Sequence, residues 1–231
     1  MPVKIKSALI TVKSSSSSSS FFADLSRNAG TSVNLYVYRY PKTSLYYVIA
    51  DIPKNAVTPN MLSVVKHYRE NILKISRQVY SQRVVLTVVK QRCEFYELIE
   101  DYDVVIPMPY TLYRGDRKYC VYGESENLDK YVENLVARYG RKNVFVEKTD
   151  LVTCLVHQIK NAIDSYVFTA LTEKEKQLLF KAFESGYLSH RRKVSLEELA
   201  ESLNIAKPTA SLILRKAIEK VIRNLTLKKP E

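Results

Sequence analysis

Apolar and polar residues alternate along much of the first 150 positions, with the period of two that is typical of half-buried β-strands. In residues 32–40, for example, Tyr36, Tyr38 and Tyr40 lie on one face and Leu35 and Val37 on the other. Elsewhere the apolar residues recur every three or four positions, which predicts amphipathic helices. The predicted strands are 3–12, 32–40, 45–52, 83–89, 104–112, 119–122 and 143–147, and the predicted helices of this region are 21–30, 58–79, 91–100 and 124–139.

The order of these elements gives β-α-β-β-α-β twice, the order of a ferredoxin-like sandwich. The first module would cover residues 1–90 and the second residues 91–150, with strand 83–89 serving both. We therefore predict an α+β protein whose N-terminal region is a tandem ferredoxin-like (βαββαβ) arrangement. The serine run 14–20 is predicted to be a flexible loop.

Residues 151–170 are predicted to form a linker helix with one apolar side. That side carries Val152, Leu155, Ile159, Ile163, Tyr166 and Ala170. The stripe fits a helix that packs on its own domain. It also has the spacing of a coiled-coil seam, which would make it a dimer interface. Both interpretations stay open at this stage.

Residues 171–231 are predicted to form an all-α domain. Its first helix is capped by Thr172 with Glu175 three residues later, a capping box, and ends at Gly186. We expect this helix to bury the apolar residues Leu178, Leu179, Ala182 and Phe183.

Residues 195–215 then have the pattern of a helix-turn-helix, which places its second helix in the DNA major groove. Ser195 and Glu198 form a second capping box, and Asn204 occupies a turn position that favours a positive φ. Pro208 suits the first turn of the next helix. The alternative is an ordinary helical hairpin with a solvated polar face.

The outward residues of the second helix are the candidate contacts with DNA. We predict that Lys207 and Arg215 bind bases or phosphates, that Thr209 and Ser211 make shorter polar contacts, and that Leu212 touches a thymine methyl group. Pro208 lies at the N-terminal start of the same face and is a further candidate contact. Backbone phosphates would be held by Lys216 and by the basic loop Arg191, Arg192 and Lys193.

The charge of the chain supports a polyanionic partner, double-stranded DNA in particular. The net charge is +12 with a pI near 9.5. Residues 171–231 contain thirteen Lys and Arg against eight Asp and Glu. Neutralising phosphates releases counterions, which favours binding of basic proteins to nucleic acid.

Catalytic and metal-binding patterns are missing from the sequence. The histidines, His67, His157 and His190, are far apart, so we expect no enzyme, no cofactor and no metal. The cysteines, Cys93, Cys120 and Cys154, are odd in number and scattered, and we expect small core residues rather than a disulfide. There is no run of about 18 apolar residues and no signal-peptide core, so we expect a cytoplasmic protein without a membrane partner.

The C-terminal region resembles the helix-turn-helix of archaeal bacterio-opsin-activator (Bat-type) transcription regulators. The resemblance rests on residues 171–172, 186–187, 191–192, 196–200 and 214–217, with Ala182, Leu203, Ile205, Lys207 and Thr209. It implies a DNA-binding regulator with an N-terminal sensory or assembly region. Asn204, Ala206 and Ala210 depart from the family's usual glycine, serine and larger apolar residue. Without that serine, the second helix lacks its typical N-cap, worth about 1 kcal/mol.

Together these features predict a sequence-specific transcription regulator, a homodimer, with a small-molecule effector acting on the N-terminal region. The alternative is an RNA-binding protein that stacks bases on Tyr36, Tyr38 and Tyr40.

Overall fold

The computed structural model describes residues 4–13, 20–39, 43–57, 64, 66–68, 70–80, 83–168 and 170–225. The chain divides into two compact units, residues 1–165 and 166–231.

The N-terminal unit is built on one eight-stranded antiparallel sheet with the order β4-β5-β3-β2-β6-β7-β1-β8. Its strands are β1 (Ile5–Val12), β2 (Ser32–Arg39), β3 (Leu45–Pro53), β4 (Ile72–Tyr80), β5 (Arg83–Gln91), β6 (Tyr110–Tyr113), β7 (Asp116–Glu124) and β8 (Val144–Thr149). A 3₁₀ turn follows β3 at Lys54–Ala56.

One face of the sheet packs against the helices α1 (Phe21–Ala29), α2 (Glu94–Asp101) and α3 (Ser125–Tyr139). Alternate strand residues such as Val33, Leu35 and Val88 are fully buried there. The helices contribute large side chains to the same core, among them Phe22, Phe95 and Tyr131. The alternation of the sequence is thus explained by a sheet with a continuous apolar face.

The other face carries the helix α4 (Leu151–Phe168). The Asn34 side chain of β2 donates a hydrogen bond to the Ala162 carbonyl at 3.3 Å. Cys120 of β7 and Cys154 of α4 form a disulfide, with their Cα atoms 5.4 Å apart and both residues fully buried. The expectation of unpaired core cysteines is therefore wrong for these two. The fold brings together residues that are 34 positions apart, which their spacing alone does not show.

The predicted helix 58–79 is wrong in its second half. Residues 72–80 form the edge strand β4, which pairs with β5 from Ile72↔Lys90 to Tyr80↔Arg83. A register shift between Ile72 and Lys74 breaks the period of two, so the apolar residues imitate helical spacing. Residues 58–63, 65 and 69, and most of the serine run, lie outside the described residues.

The shared strand of the predicted tandem is also corrected by the structure. β5 pairs with β3 and β4, whereas β1 pairs with both β7 and β8. The first strand of the chain thus completes the half of the sheet formed by residues 110–149. In addition, the predicted strand 104–112 shortens to β6, preceded by an isolated bridge between Val105 and Tyr122.

The C-terminal unit is helical, with α5 (Glu173–Glu184), α6 (Leu196–Glu201) and α7 (Lys207–Leu225). Its core consists of Leu178, Ala182, Leu199, Ala200, Ala210 and Leu214. Phe183, which was expected in this core, is instead 73% exposed. Within the described part of the chain, no helix is both long enough and apolar enough to span a membrane.

Candidate nucleic-acid interface

The first helix of the C-terminal unit is fixed at its start by the predicted capping box. Thr172 Oγ1 accepts from the Glu175 N–H at 3.2 Å, and the Thr172 N–H donates to the Glu175 carboxylate at 2.7 Å. Glu175 also binds Lys220 of α7 at 2.7 Å. Burial alone would raise the pKa of Glu175, but the bonds from Lys220 and Thr172 hold that pKa below its usual value. The same carboxylate therefore caps α5 and ties it to α7.

The second capping box and the turn also form as predicted. Ser195 Oγ accepts from the Glu198 N–H at 3.2 Å, and the Glu198 carboxylate accepts from the Ser195 N–H at 2.6 Å. These bonds lower the pKa of Glu198. Asn204 has φ 51°, the left-handed conformation expected at the turn. Ala200 is buried in the contact between helices, where a small side chain lets α6 and α7 approach.

The long helix α7 presents one face to the core and the opposite face to solvent. Ala210, Leu214 and Ala217 are buried. A rotation of 100° per residue places Pro208, Leu212 and Arg215 on the opposite face, and all three are exposed. Thr209 and Lys216 flank this face and are exposed, while Ser211 is half-buried beside it. The structure thus gathers Pro208, Thr209, Leu212, Arg215 and Lys216 on one side of α7, with Ser211 at its edge. Lys207, at the start of the helix, lies off this side.

The basic residues in the N-terminal half of α7 differ in their partners. Lys207 Nζ lies 3.0 Å from the Glu197 carboxylate of α6. Arg215 and Lys216 make no ion pair within the ranges that the structure describes. Because α7 begins at Lys207, Ala206 stands in the capping position, and its methyl group cannot accept a hydrogen bond.

The basic loop before α6 is exposed and is held by contacts of Arg192 and Lys193. The Arg192 guanidinium lies 4.9 Å from the centroid of the Tyr187 ring. Lys193 N–H donates to the Gly186 carbonyl at 3.2 Å. Gly186 has φ 77°, and a Cβ at this position would lie 2.9 Å from Lys193 Cδ. Glycine therefore allows the loop to fold back on the end of α5, leaving Arg191 and Arg192 in solvent.

Glu219 and Arg223 continue the outward face of α7 and are not among the residues predicted from the sequence. They follow Arg215 by four and eight residues, a spacing that places them on the same side of the helix. Glu219 and Arg223 form an ion pair with each other. A carboxylate one turn beyond Arg215 repels phosphate, so the face that suits DNA is the N-terminal half of α7.

The tyrosine face of the alternative interpretation is only partly open. Tyr38 is exposed, Tyr36 is half-buried, and Tyr40 lies outside the described residues. Tyr38 pairs across the sheet with Tyr47, which is also exposed. Two exposed rings side by side are ordinary for cross-strand packing.

Among the described side chains, no group of three or more His, Cys, Asp or Glu residues is arranged to hold a metal ion.

The solved structure of full-length DUF199/WhiA from Thermatoga maritima aligns with 88% of this chain and 91% of its own, at 12% identity and a TM-score of 0.19. At that TM-score the likeness bears on neither fold nor function. No curated protein matches the chain significantly. Residues 171–223 match the family model described as "HTH DNA binding domain", that of the bacterio-opsin activator family. This stretch is therefore similar to helix-turn-helix DNA-binding domains, a likeness that points to DNA-binding transcription regulation.

Proposed function

We propose that this protein is a sequence-specific transcription regulator that reads the major groove with the N-terminal half of α7. The observation that carries the proposal is the solvent face of α7, where Pro208, Leu212 and Arg215 are exposed and the guanidinium of Arg215 has no carboxylate partner among the described residues. A guanidinium is well suited to bind a guanine edge with two parallel hydrogen bonds.

The phosphate contacts would flank this face. Lys216 and Lys207 lie beside it on α7, and Arg191, Arg192 and Lys193 form the basic loop before α6. Cations that contact phosphates increase affinity for every sequence and make binding dependent on salt. The division of roles is therefore that Arg215, Leu212, Thr209 and Ser211 specify, whereas the other basic residues position the protein on the duplex.

The test is an Arg215→Ala variant of the full chain, measured by fluorescence anisotropy on a selected operator and on its single-base variants. A base contact predicts a loss of about 1–3 kcal/mol and a relaxed preference at one base pair. Lys181→Ala, on the exposed side of α5, removes the same charge and serves as the control. Equal losses for both variants, with unchanged base preference, would show that Arg215 contributes only charge.

We also propose that the protein is a homodimer through α4. Val152, Val156, Ile159 and Ile163 are all exposed and follow one another at steps of four, three and four residues. This spacing suits a helix that packs against its own copy. The predicted stripe changes in two ways. Leu155 packs against the buried cluster around Cys120 and Cys154, and Val156 takes its place on the exposed side. Ala170 lies beyond the end of α4, and Tyr166 is half-buried.

Light scattering after size exclusion tests the dimer. Ile159→Glu places a charge in the proposed seam and should yield monomers with weakened binding to a two-half-site operator, whose half-sites would lie about 34 Å apart. Thr153→Glu adds the same charge to an exposed position off the seam and should leave the dimer intact. A wild-type chain that stays monomeric on and off DNA would refute this part of the proposal.

The N-terminal unit would take up a small-molecule effector that alters DNA affinity. An RNA-binding function would instead predict that single-stranded RNA displaces bound DNA and that Tyr38→Ala abolishes the displacement. That outcome would replace the proposed regulator.

A further inference from the structure

A cavity of about 380 Å³ lies in the N-terminal unit beside the beginnings of α1 and α2. The residues that matter for its chemistry are Ser20, Phe21, Lys90, Phe95, Arg117 and Tyr139. The volume falls at the low end of the roughly 300–1,000 Å³ that small-molecule sites occupy.

Two buried cations line this cavity. Lys90 on β5 is 5% exposed and Arg117 on β7 is 3% exposed. Neither forms an ion pair or a hydrogen bond through its side chain with any residue in the described ranges. Arg117 Nη1 is buried without a hydrogen-bond partner.

Both cations lie against aromatic rings. Lys90 Nζ lies 5.3 Å from the Tyr96 ring centroid, and the Arg117 guanidinium carbon lies 4.9 Å from that of Phe95. A ring face attracts a cation but does not replace its lost hydration. Buried charges are ordinarily paired, because desolvation is costly. Two unpaired cations in one cavity therefore indicate a place for an anion.

The helices add to the positive potential. Ser20 and Cys93 precede α1 and α2, both line the cavity, and neither side chain caps its helix. Helix N-termini carry a partial positive charge and unpaired N–H groups that attract anions. Two such helix ends therefore border the cavity that the buried cations also line.

The carboxylates near the cavity are already engaged or open to water. Glu97 lies 3.8 Å from Arg138, and Glu94 is exposed. Arg92, a third cation of the lining, is bound to Asp101 at 2.7 Å and pairs with Glu100. These pairs leave Lys90 and Arg117 as the unneutralised charges.

We propose that this cavity binds a small phosphorylated ligand, with its phosphoryl group held by Lys90 and Arg117. The guanidinium fork suits two phosphoryl oxygens and the ammonium a third. The rings of Phe21 and Tyr139 also line the cavity, so an aromatic or sugar portion of the ligand would pack against them. This gives the proposed effector role a site and a ligand class, and it depends on the regulator proposal only for its effect on DNA binding.

The test is isothermal titration calorimetry of the full chain without DNA, in phosphate-free buffer of constant ionic strength. The probes are AMP, adenosine, inorganic phosphate and citrate. The proposal predicts binding of AMP, weaker binding of phosphate and none of adenosine. Lys90→Met and Arg117→Met should each weaken AMP binding roughly tenfold or more. Lys118→Met, the exposed neighbour of Arg117 on β7, should bind as the wild type does.

The apo proteins provide a second readout. Lys90→Met should melt at the same temperature as the wild type or higher, because it removes an unpaired buried charge, so lost binding cannot be ascribed to unfolding. Equal affinity for phosphate and AMP would identify free phosphate as the ligand and would still support an anion site in this cavity. Tighter binding of citrate than of any phosphorylated probe, or AMP binding unaffected by both Met variants, would overturn the proposal. Because no DNA is present, failure here leaves the DNA-binding proposal intact.

Discussion

The ion pair between Glu175 and Lys220 should stabilise the C-terminal unit in an asymmetric way. The Glu175 side chain is 8% exposed, whereas that of Lys220 is 37% exposed. In Lys220→Met the buried carboxylate keeps its bond from Thr172 but loses its cation. In Glu175→Gln the amide oxygen can still cap Thr172, and the freed ammonium can turn to water. The lysine substitution should therefore be the more damaging.

The expected magnitudes follow from these exposures. Leaving a buried charged acceptor without its partner costs about 1–3 kcal/mol, so we expect Lys220→Met to lower the free energy of unfolding by about 2 kcal/mol. Glu175→Gln removes a half-exposed pair and should cost about 0.5–1 kcal/mol. The double variant should recover about 1 kcal/mol relative to the sum of the two. Native-state hydrogen exchange of the full chain, followed in peptides from 173–184 and 207–225, measures each free energy of opening.

The pH dependence gives an independent check. The pKa of Glu175 in the folded protein lies below its usual 4.5, so its pairing stabilises the fold at neutral pH, and this contribution is lost as the pH falls below 4.5. The deficit of Lys220→Met should shrink over the same range, because a protonated Glu175 no longer requires a cation. A Glu175→Gln variant that is less stable than Lys220→Met, or a deficit that does not change with acid, would refute the reasoning.

Two further predictions concern the disulfide and the basic loop. Reducing the Cys120–Cys154 disulfide opens a loop with a sequence separation of 34 residues and should lower the stability of the N-terminal unit by about 3–4 kcal/mol. A phosphine reductant should therefore lower the urea midpoint of unfolding. A Cys93→Ser control that is kept oxidised should keep its midpoint. Gly186→Ala places a residue with a Cβ in a left-handed conformation and should lower the stability by about 1–2 kcal/mol. It should also displace Lys193 and so make DNA binding less dependent on salt concentration. An unchanged melting temperature and an unchanged salt dependence would contradict the proposed anchoring of the loop.

The helix-turn-helix was accessible to sequence analysis because its determinants are local. Thr172 with Glu175, Ser195 with Glu198, and Asn204 each act within a few residues, and all three features appear in the structure. Phe183 shows the limit of the same approach. Its helical spacing predicts burial, but Leu178 and Ala182 fill the core without it.

The N-terminal unit was less predictable because its pairings are remote. β1 lies between β7 and β8, more than 100 residues further along the chain, and nothing within residues 5–12 identifies those partners. The Cys120–Cys154 bridge and the placement of Lys90 and Arg117 around one cavity have the same origin. Alternation gives the two faces of a strand, but strand order depends on which edges meet.

The contact between Lys207 and Glu197 raises the question of whether Lys207 is available to DNA. Both side chains are more than half exposed, and their atoms lie 3.0 Å apart. Exposed pairs of this kind contribute about 0–1 kcal/mol and are weakened by salt. A DNA phosphate offers the ammonium a stronger field and releases counterions, so the exchange costs little and Lys207 can leave Glu197 on binding. The unfavourable effect is instead at Glu197, because its unpaired carboxylate would then lie near the negatively charged duplex. Glu197→Gln should therefore increase the affinity for all DNA sequences alike, whereas Arg215→Ala should change the preference at one base pair. Comparing the two variants separates the residues that position the protein on DNA from those that read the sequence.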